Sequence, residues 1–303
     1  MNSKKKRTRF LIFLIISVIL SLFYFFVYEN SNFSNLVGNS FKEQKCVSIL
    51  ENETETFENL TVSFINVSQG DAIFLENMGQ TMLIDCGNNG KGGIILDYFK
   101  KNNISKLDYL IITHTDADHI GGCDEILREI NAKIIFMDGQ SKDTQSYEDV
   151  VEEAKKQDIQ IFIPDKCFSS NLGKSKFQII HGNVGSEYAN QNSLVLTLRY
   201  GNSSFLFTGD CDGDCEKSVL NQKINIDFLK IAHHGSPYGT SKEFLKKTSP
   251  FIAFISVGKN SYGHPSEEVL NRLQDNQINL YRTDFDGTII LKTDGKIYWV
   301  LSG

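Results

Sequence analysis

Apolar and polar positions divide the chain into three stretches. Residues 10–28 carry no charge and would be apolar on every face of a helix. As a helix they would extend roughly 28 Å, close to the thickness of a bilayer core. Residues 29–58 are rich in Asn, Ser and Glu, lack apolar periodicity and read as a linker, with the acidic run 51–58 as a solvated part of it. From residue 60 the pattern becomes that of a folded body. Short β-type runs are predicted over 60–66, 72–76 and 81–85, a helix over 92–101 and a buried strand over 107–113. Helical spacing follows over 120–130 and near 147–156, with strands at 132–136 and 159–163. A second series of strands is predicted at 177–180, 194–200, 205–208, 228–232, 251–257 and 278–281, with helices between several of them. A hairpin over 288–291 and 296–301, turned at Asp294-Gly295, ends the chain. Two halves, each β-rich and then α/β in character, suggest two packed sheets with helices outside.

Charge orients the first stretch. Lys4, Lys5, Lys6, Arg7 and Arg9 precede the apolar run, and Lys and Arg favour the cytoplasmic side. No small-x-small cleavage site is evident, so the run is expected to be an uncleaved single-pass anchor. The expected organisation is a cytoplasmic basic tail (1–9), a transmembrane anchor (10–28), a linker (29–58) and a folded domain (59–303) outside the cell membrane. The chain holds 31 basic and 37 acidic residues, so setting aside those five cations leaves 26 against 37, a net of −11. A body that acidic does not hold long polyanions by bulk charge. A phosphate ester would need local cations, and bound metal is the obvious source.

Candidate chemistry concentrates just after predicted strands. His114-Thr115-Asp116-Ala117-Asp118-His119 follows the strand ending at Thr113 and presents four imidazoles and carboxylates in six residues. Such groups are costly together unless a cation neutralises them. Asp85 follows another strand, Asp210 another, His233-His234-Gly235-Ser236 another, and His264 stands after the strand ending at Val257. One strand-end His means little; the joint pattern argues for a site. His181 lacks distinctive flanks and is read as structural.

Here the residues resemble a known family. H-T-D-A-D-H-I-G-G at 114–122 resembles the signature loop of the metallo-β-lactamase superfamily, with Asp116 where the usual loop has His. The Asp form resembles the subgroup containing the C-terminal domain of the competence protein ComEC/Rec2. F-I-N-V-S-Q-G-D-A (64–72), L-I-D-C-G (83–87), N-S-L-V-L (192–196), F-T-G-D (207–210), A-H-H-G-S (232–236), Y-G-H-P (262–265) and R-T-D-F-D-G-T-I (282–289) extend the match over roughly 60–300. The resemblance implies an αββα sandwich with two divalent metal ions at the sheet edges. His114, Asp116 and Asp210 would surround one ion, and Asp118, His119, Asp210 and one of His233 or His234 the other, with Asp210 bridging. Asp85 would orient a ligand His, and Asp71, Asn192 and Ser236 are further candidates. Asn192 stands near where many relatives have a third His. The multi-helix channel of full-length competence proteins is replaced here by a single anchor, so DNA transport is not implied.

Two cations about 3.5–4 Å apart would hold a bridging hydroxide at neutral pH to attack phosphorus or carbonyl carbon. Asp118 would orient it, and His233 or His264 would protonate the leaving group. The carboxylate-rich set makes Mn²⁺ a contender beside Zn²⁺. The leading expectation is a phosphodiesterase or nuclease acting on single-stranded DNA outside the membrane. The alternatives are a cell-envelope phosphodiester (phosphocholine-type) esterase and a non-catalytic surface module. Six cysteines, at 46, 86, 123, 167, 211 and 215, allow disulfides but fix no pairing. Residues 211–215 read as a helix start rather than a calcium loop.

Overall fold

The computed structural model describes residues 59–182, 184–222 and 224–303; the expected anchor and almost all of the linker lie outside the described residues. Among the described residues, no helix is long and apolar enough to cross a membrane. The first half of the domain runs β1 (Leu60–Phe64), β2 (Ile73–Asn77), β3 (Gln80–Ile84), α1 (Gly92–Lys101), β4 (Lys106–Leu107), β5 (Tyr109–Ile111), α2 (Ala117–Ile120), α3 (Cys123–Glu129), β6 (Asn131–Ala132), β7 (Ile134–Phe136), α4 (Gln145–Lys156) and β8 (Gln160–Phe162). The second half runs β9 (Ser169–Leu172), β10 (Ser175–His181), β11 (Val195–Tyr200), β12 (Ser203–Phe207), α5 (Gly213–Leu220), β13 (Phe228–Lys230), α6 (Lys242–Thr248), β14 (Ile252–Ile255), α7 (Glu267–Asp275), β15 (Asn279–Arg282) and α8 (Thr283–Asp286). It closes with the hairpin β16 (Ile289–Thr293) and β17 (Tyr298–Ser302).

The strands form two large sheets, ordered β17-β16-β1-β2-β3-β5-β7-β8 and β15-β14-β13-β12-β11-β10-β9. Each sheet is antiparallel on one side and parallel on the other. The parallel pairs are β3–β5, β5–β7 and β7–β8 in the first, and β12–β13, β13–β14 and β14–β15 in the second. Parallel neighbours need crossovers, and α1, α2–α3 and α4 supply them in one sheet, α5, α6 and α7 in the other.

Period-two alternation sorts the strand side chains into layers. Ile73 and Leu75 of β2 join the apolar layer between the sheets, and Phe74 faces the first set of helices. Ile252 and Phe254 of β14 face inward, while Ala253 and Ile255 meet Val219, Phe244 and Leu273 of the second helix layer. Phe64 and Phe254 stack across the interface with centroids 4.2 Å apart. The outcome is a four-layer α/β sandwich, αββα in order, as the two-halves reading requires.

Two differences from the sequence reading have physical causes. β9 has the sequence Ser-Ser-Asn-Leu and shows no apolar pattern; pairing with β10 makes it a strand. The helical spacing at 120–130 is broken at Gly121-Gly122, where the chain passes too close to its neighbours for a side chain. A Cβ would fall 2.3 Å from the Ala117 carbonyl oxygen at Gly121 and 2.5 Å from that of Cys86 at Gly122.

An ion pair also ties the sheets together. Lys230 Nζ of β13 lies 2.7 Å from Asp71 Oδ2 of the β1–β2 loop, and both side chains are at most 1% exposed. Lys230 also donates to the Ile231 carbonyl at 2.8 Å. Removing one partner of such a pair strands a buried charge, at about 3–5 kcal/mol. Lys230→Met is therefore expected to lower unfolding free energy by roughly that amount in urea titrations. Lys230→Met/Asp71→Leu should recover part of the loss.

Candidate metal centre

The acids and imidazoles expected to meet do converge, because most of them lie on loops at the carboxyl ends of parallel strands. β3 leads to Asp85, β5 to His114–His119, β12 to Asp210, β13 to His233 and His234, and β14 to His264. Ligand crevices in parallel sheets commonly form at such ends. His114, His119 and Asp210 place ligand atoms within 4.8 Å of one another, as do Asp118, His119 and His234.

Asp85 organises the floor. It sits in left-handed backbone at φ 58° and is fully buried. Strain of this kind persists where surroundings over-determine it. Its carboxylate accepts from the Thr113 amide (2.7 Å), the Thr113 hydroxyl (2.7 Å) and His119 Nδ1 (2.8 Å). With its proton given to Asp85, the Thr113 hydroxyl accepts from His114 Nδ1 at 3.1 Å. His234 Nδ1 donates to the Ser256 carbonyl at 2.8 Å. Each imidazole thus spends its Nδ1 proton on the protein and turns an Nε2 lone pair to the centre, as metal-ligating histidines do.

The atoms so turned have no hydrogen-bond partner: Nε2 of His114, His119 and His234 and Oδ1 of Asp210 are all buried and unpaired. Buried polar atoms normally find partners, so this convergence fits a bound cation. Asp210 straddles the group, with Oδ1 3.2 Å from His119 Nε2 and Oδ2 3.6 Å from His234 Nε2 and 3.9 Å from His114 Nε2. That placement suits a bridge between two ions. Asp118 Oδ2 lies 3.1 Å from His234 Nε2, and Asp116 Oδ2 lies 3.7 Å from His114 Nε2.

Titration reflects the same crowding. Burial works against charge on His119, yet Asp210 and Asp85 hold it well above the usual imidazole value. Burial would raise Asp210, but His119 and His234 keep it well below the usual carboxylate range. Asp118 is also lowered, against burial, by the neighbouring imidazoles of His234 and His119. Burial and the neighbouring His119 pull His114 down to about 4. A divalent ion held there would bring the positive charge these carboxylates call for.

The rim holds the remaining candidates. A pocket of about 220 Å³ opens over the centre, with Asp116, Asp118, His233 and His264 among its lining residues. His233 is in left-handed backbone at φ 49°. Its Nδ1 faces Asn190 Nδ2 (3.1 Å) and Asp212 Oδ2 (3.4 Å), and its Nε2 lies 3.8 Å from Asp210 Oδ2. The His264 ring meets that of His233 edge-on at 5.3 Å.

Three sequence candidates stand apart. Asn192 is buried, but its side chain bonds the backbone of Ser186 and Tyr188 and does not enter the centre. Ser236 is buried outside the pocket lining, where its hydroxyl accepts from the Tyr238 amide. Asp71 supports from behind, through Lys230 and at 3.5 Å from His234 Nδ1. His181 bonds the Gln191 carbonyl through Nε2 (2.8 Å), consistent with a structural role. Cys211 is disulfide-bonded to Cys215, which rules it out as a thiolate ligand, and Cys86 is bonded to Cys123.

Other residues at the site escaped the sequence reading. Lys142 reaches from the β7–α4 loop to pair with Asp116. Gln69 lines the pocket, with its Oε1 accepting from the Gly258 amide at 3.4 Å. Asn190 and Tyr262 also escaped notice. Gln69 and Tyr262 sit inside quoted motifs, so they had a signal; Lys142 and Asn190 had none.

Comparison with known proteins agrees with this geometry. Residues 65–182 match the metallo-β-lactamase superfamily. ComE operon protein 3 of Bacillus subtilis (strain 168) is 30% identical over 250 residues, covering 75% of this chain and 32% of that protein. Recombination protein 2 of Haemophilus influenzae is 27% identical over 251 residues, covering 80% of this chain and 30% of that protein. The chain therefore spans about a third of the length of these curated relatives. The crystal structure of the metallo-β-lactamase fold protein YhfI from Bacillus subtilis matches 78% of this chain and 100% of its own at TM-score 0.52 and 12% identity, a likeness of fold.

Loss of a residue that orients metal-ligating histidines typically weakens metal affinity about 10–100-fold. Asp85→Ala is expected to show that loss in chelator competition, with far-UV circular dichroism retained. Unchanged affinity would refute the assignment of Asp85.

Proposed function

Since the chain carries a metallo-β-lactamase-superfamily domain and is similar to competence proteins, we propose that it is a metal-dependent phosphodiesterase acting on nucleic-acid strands outside the cytoplasmic membrane. One observation carries the reading: the unpaired Nε2 atoms of His114, His119 and His234 converge with Asp210 beneath an open pocket. His114, Asp116, Asp118, His119, Asp210 and His234 would hold two divalent ions. The carboxylate share of that set favours Mn²⁺ alongside Zn²⁺. Bound ions supply Lewis acidity and neutralise charge developing on phosphoryl oxygens.

The chain's own residues do the rest. Asp118 faces the pocket and orients the attacking water by accepting its proton's hydrogen bond. His233 Nδ1 accepts from Asn190 Nδ2, which leaves the ring proton on Nε2, placed to go to the leaving oxygen. His264, edge-on to His233, is the second donor in reach. Gln69 has its carbonyl oxygen engaged by Gly258, leaving its N–H donors for a substrate oxygen. Two features support the outer location: the charge asymmetry around residues 10–28, and the disulfides Cys86–Cys123 and Cys211–Cys215, which persist in oxidising compartments.

The test is turnover by the purified full chain with added Mn²⁺ or Zn²⁺ on single-stranded DNA and on a phosphocholine diester. Strand cleavage is expected with metal, and His119→Ala and Asp210→Ala should each lose about a hundredfold or more. No turnover with either metal, or turnover in both variants equal to that of the wild type, would sink the reading. Phosphocholine release without strand cleavage would move the substrate to the envelope.

A further inference from the structure

We propose that Tyr262 is a stacking platform for a nucleobase beside the scissile phosphate, so that the pocket selects unpaired strands. This rests on the phosphodiesterase reading and deepens it. Tyr262 lines the pocket with Gln69, Asp118, His233 and His264, yet is 73% exposed. Its ring centroid lies 5.8 Å from that of His264, at an interplanar angle of 33°.

An exposed aromatic ring needs no explanation on a loose loop, but this loop is built. Asn260 Oδ1 accepts from the amides of Tyr262 (3.0 Å) and His264 (3.1 Å). Its Nδ2 donates to the carbonyls of Gly258 (2.9 Å) and His264 (2.7 Å). One side chain thus makes four hydrogen bonds and closes 258–264 on itself. The loop is also seated at both ends. The Ser266 amide donates to the Gly235 carbonyl at 2.8 Å, and a Cβ at Gly235 would meet Pro265 at 2.5 Å. A Cβ at Gly258 would fall 2.4 Å from the Ser68 backbone. The loop that carries the ring is therefore fixed relative to the segments that carry His234 and Gln69.

The chemistry of the occupant follows from what surrounds the ring. Among the described residues lining the pocket, Tyr262 is the one carbocyclic aromatic; the others are acids, imidazoles and an amide. A single open π-face suits a planar base, which stacks without regard to sequence. A quaternary ammonium is recognised by an aromatic cage, which one open ring does not form. A paired duplex keeps its bases stacked on one another and leaves the ring uncovered. The chain's net charge of −6 also gives it no bulk attraction for a phosphate backbone. Stacking supplies affinity that bulk charge does not.

The experiment uses the full chain loaded with Mn²⁺ and a single-stranded oligonucleotide carrying 2-aminopurine, read by fluorescence quenching and by KM for cleavage. Tyr262→Ala should weaken strand binding roughly 5–150-fold and raise KM in step, with Mn²⁺ affinity unchanged, and Tyr262→Phe should restore both. An abasic nucleotide moved along the strand should, at one position, weaken wild-type binding as much as Tyr262→Ala does. It should weaken the Ala variant no further. Equal affinity of wild type and Tyr262→Ala would overturn the proposal. So would a loss in Tyr262→Phe matching that in Tyr262→Ala, or Tyr262-dependent binding of phosphocholine in place of the strand. If quenching depends on Tyr262 while no phosphodiester is hydrolysed, the platform stands and the hydrolase reading falls.

Discussion

Crowded negative charge that must be neutralised is the constraint behind the whole strand-end region. Asp71, Asp85, Asp116, Asp118 and Asp210 are gathered where the two sheets meet at the carboxyl ends of their parallel strands. Asp71 is answered by Lys230 and Asp116 by Lys142. Asp85, Asp118 and Asp210 are faced by imidazoles. Carboxylates brought this close repel one another unless cations or protons intervene. The hydrogen bonds that turn each Nε2 inward suit a cation bound among these residues.

The two-sheet scheme depends on the same arrangement. Parallel strands send their chain direction to one edge, so successive crossovers deliver His114–His119, Asp210, His233–His234 and His264 to neighbouring loops. The Lys230–Asp71 pair and the Phe64–Phe254 stack hold the sheets in the register that lets those loops meet. Fold and site are thus one problem in packing.

Much of this was readable from the chain because chemistry and pattern coincide. The strand ending at Thr113 is apolar and the next six residues are not, so both the element and its functional loop are visible. Asp210 and His233-His234 were visible for the same reason. Lys142, by contrast, sits in a loop without periodicity, and only the three-dimensional fold brings it to Asp116. Asn190 is of that kind too, reaching His233 across 43 positions of sequence. Asn192, which stands near where many relatives have a third His, has its amide consumed by the turn around Ser186 and Tyr188, a role that only the folded chain shows.

The centre draws its ligands from two separate arms of the polypeptide, 114–119 from the first sheet and 210–234 from the second. Ions seated there would act as a rivet across a seam as well as reagents. Withdrawing them should let one sheet edge breathe against the other, so that the stiffness of the groove floor and its chemical competence rise and fall together.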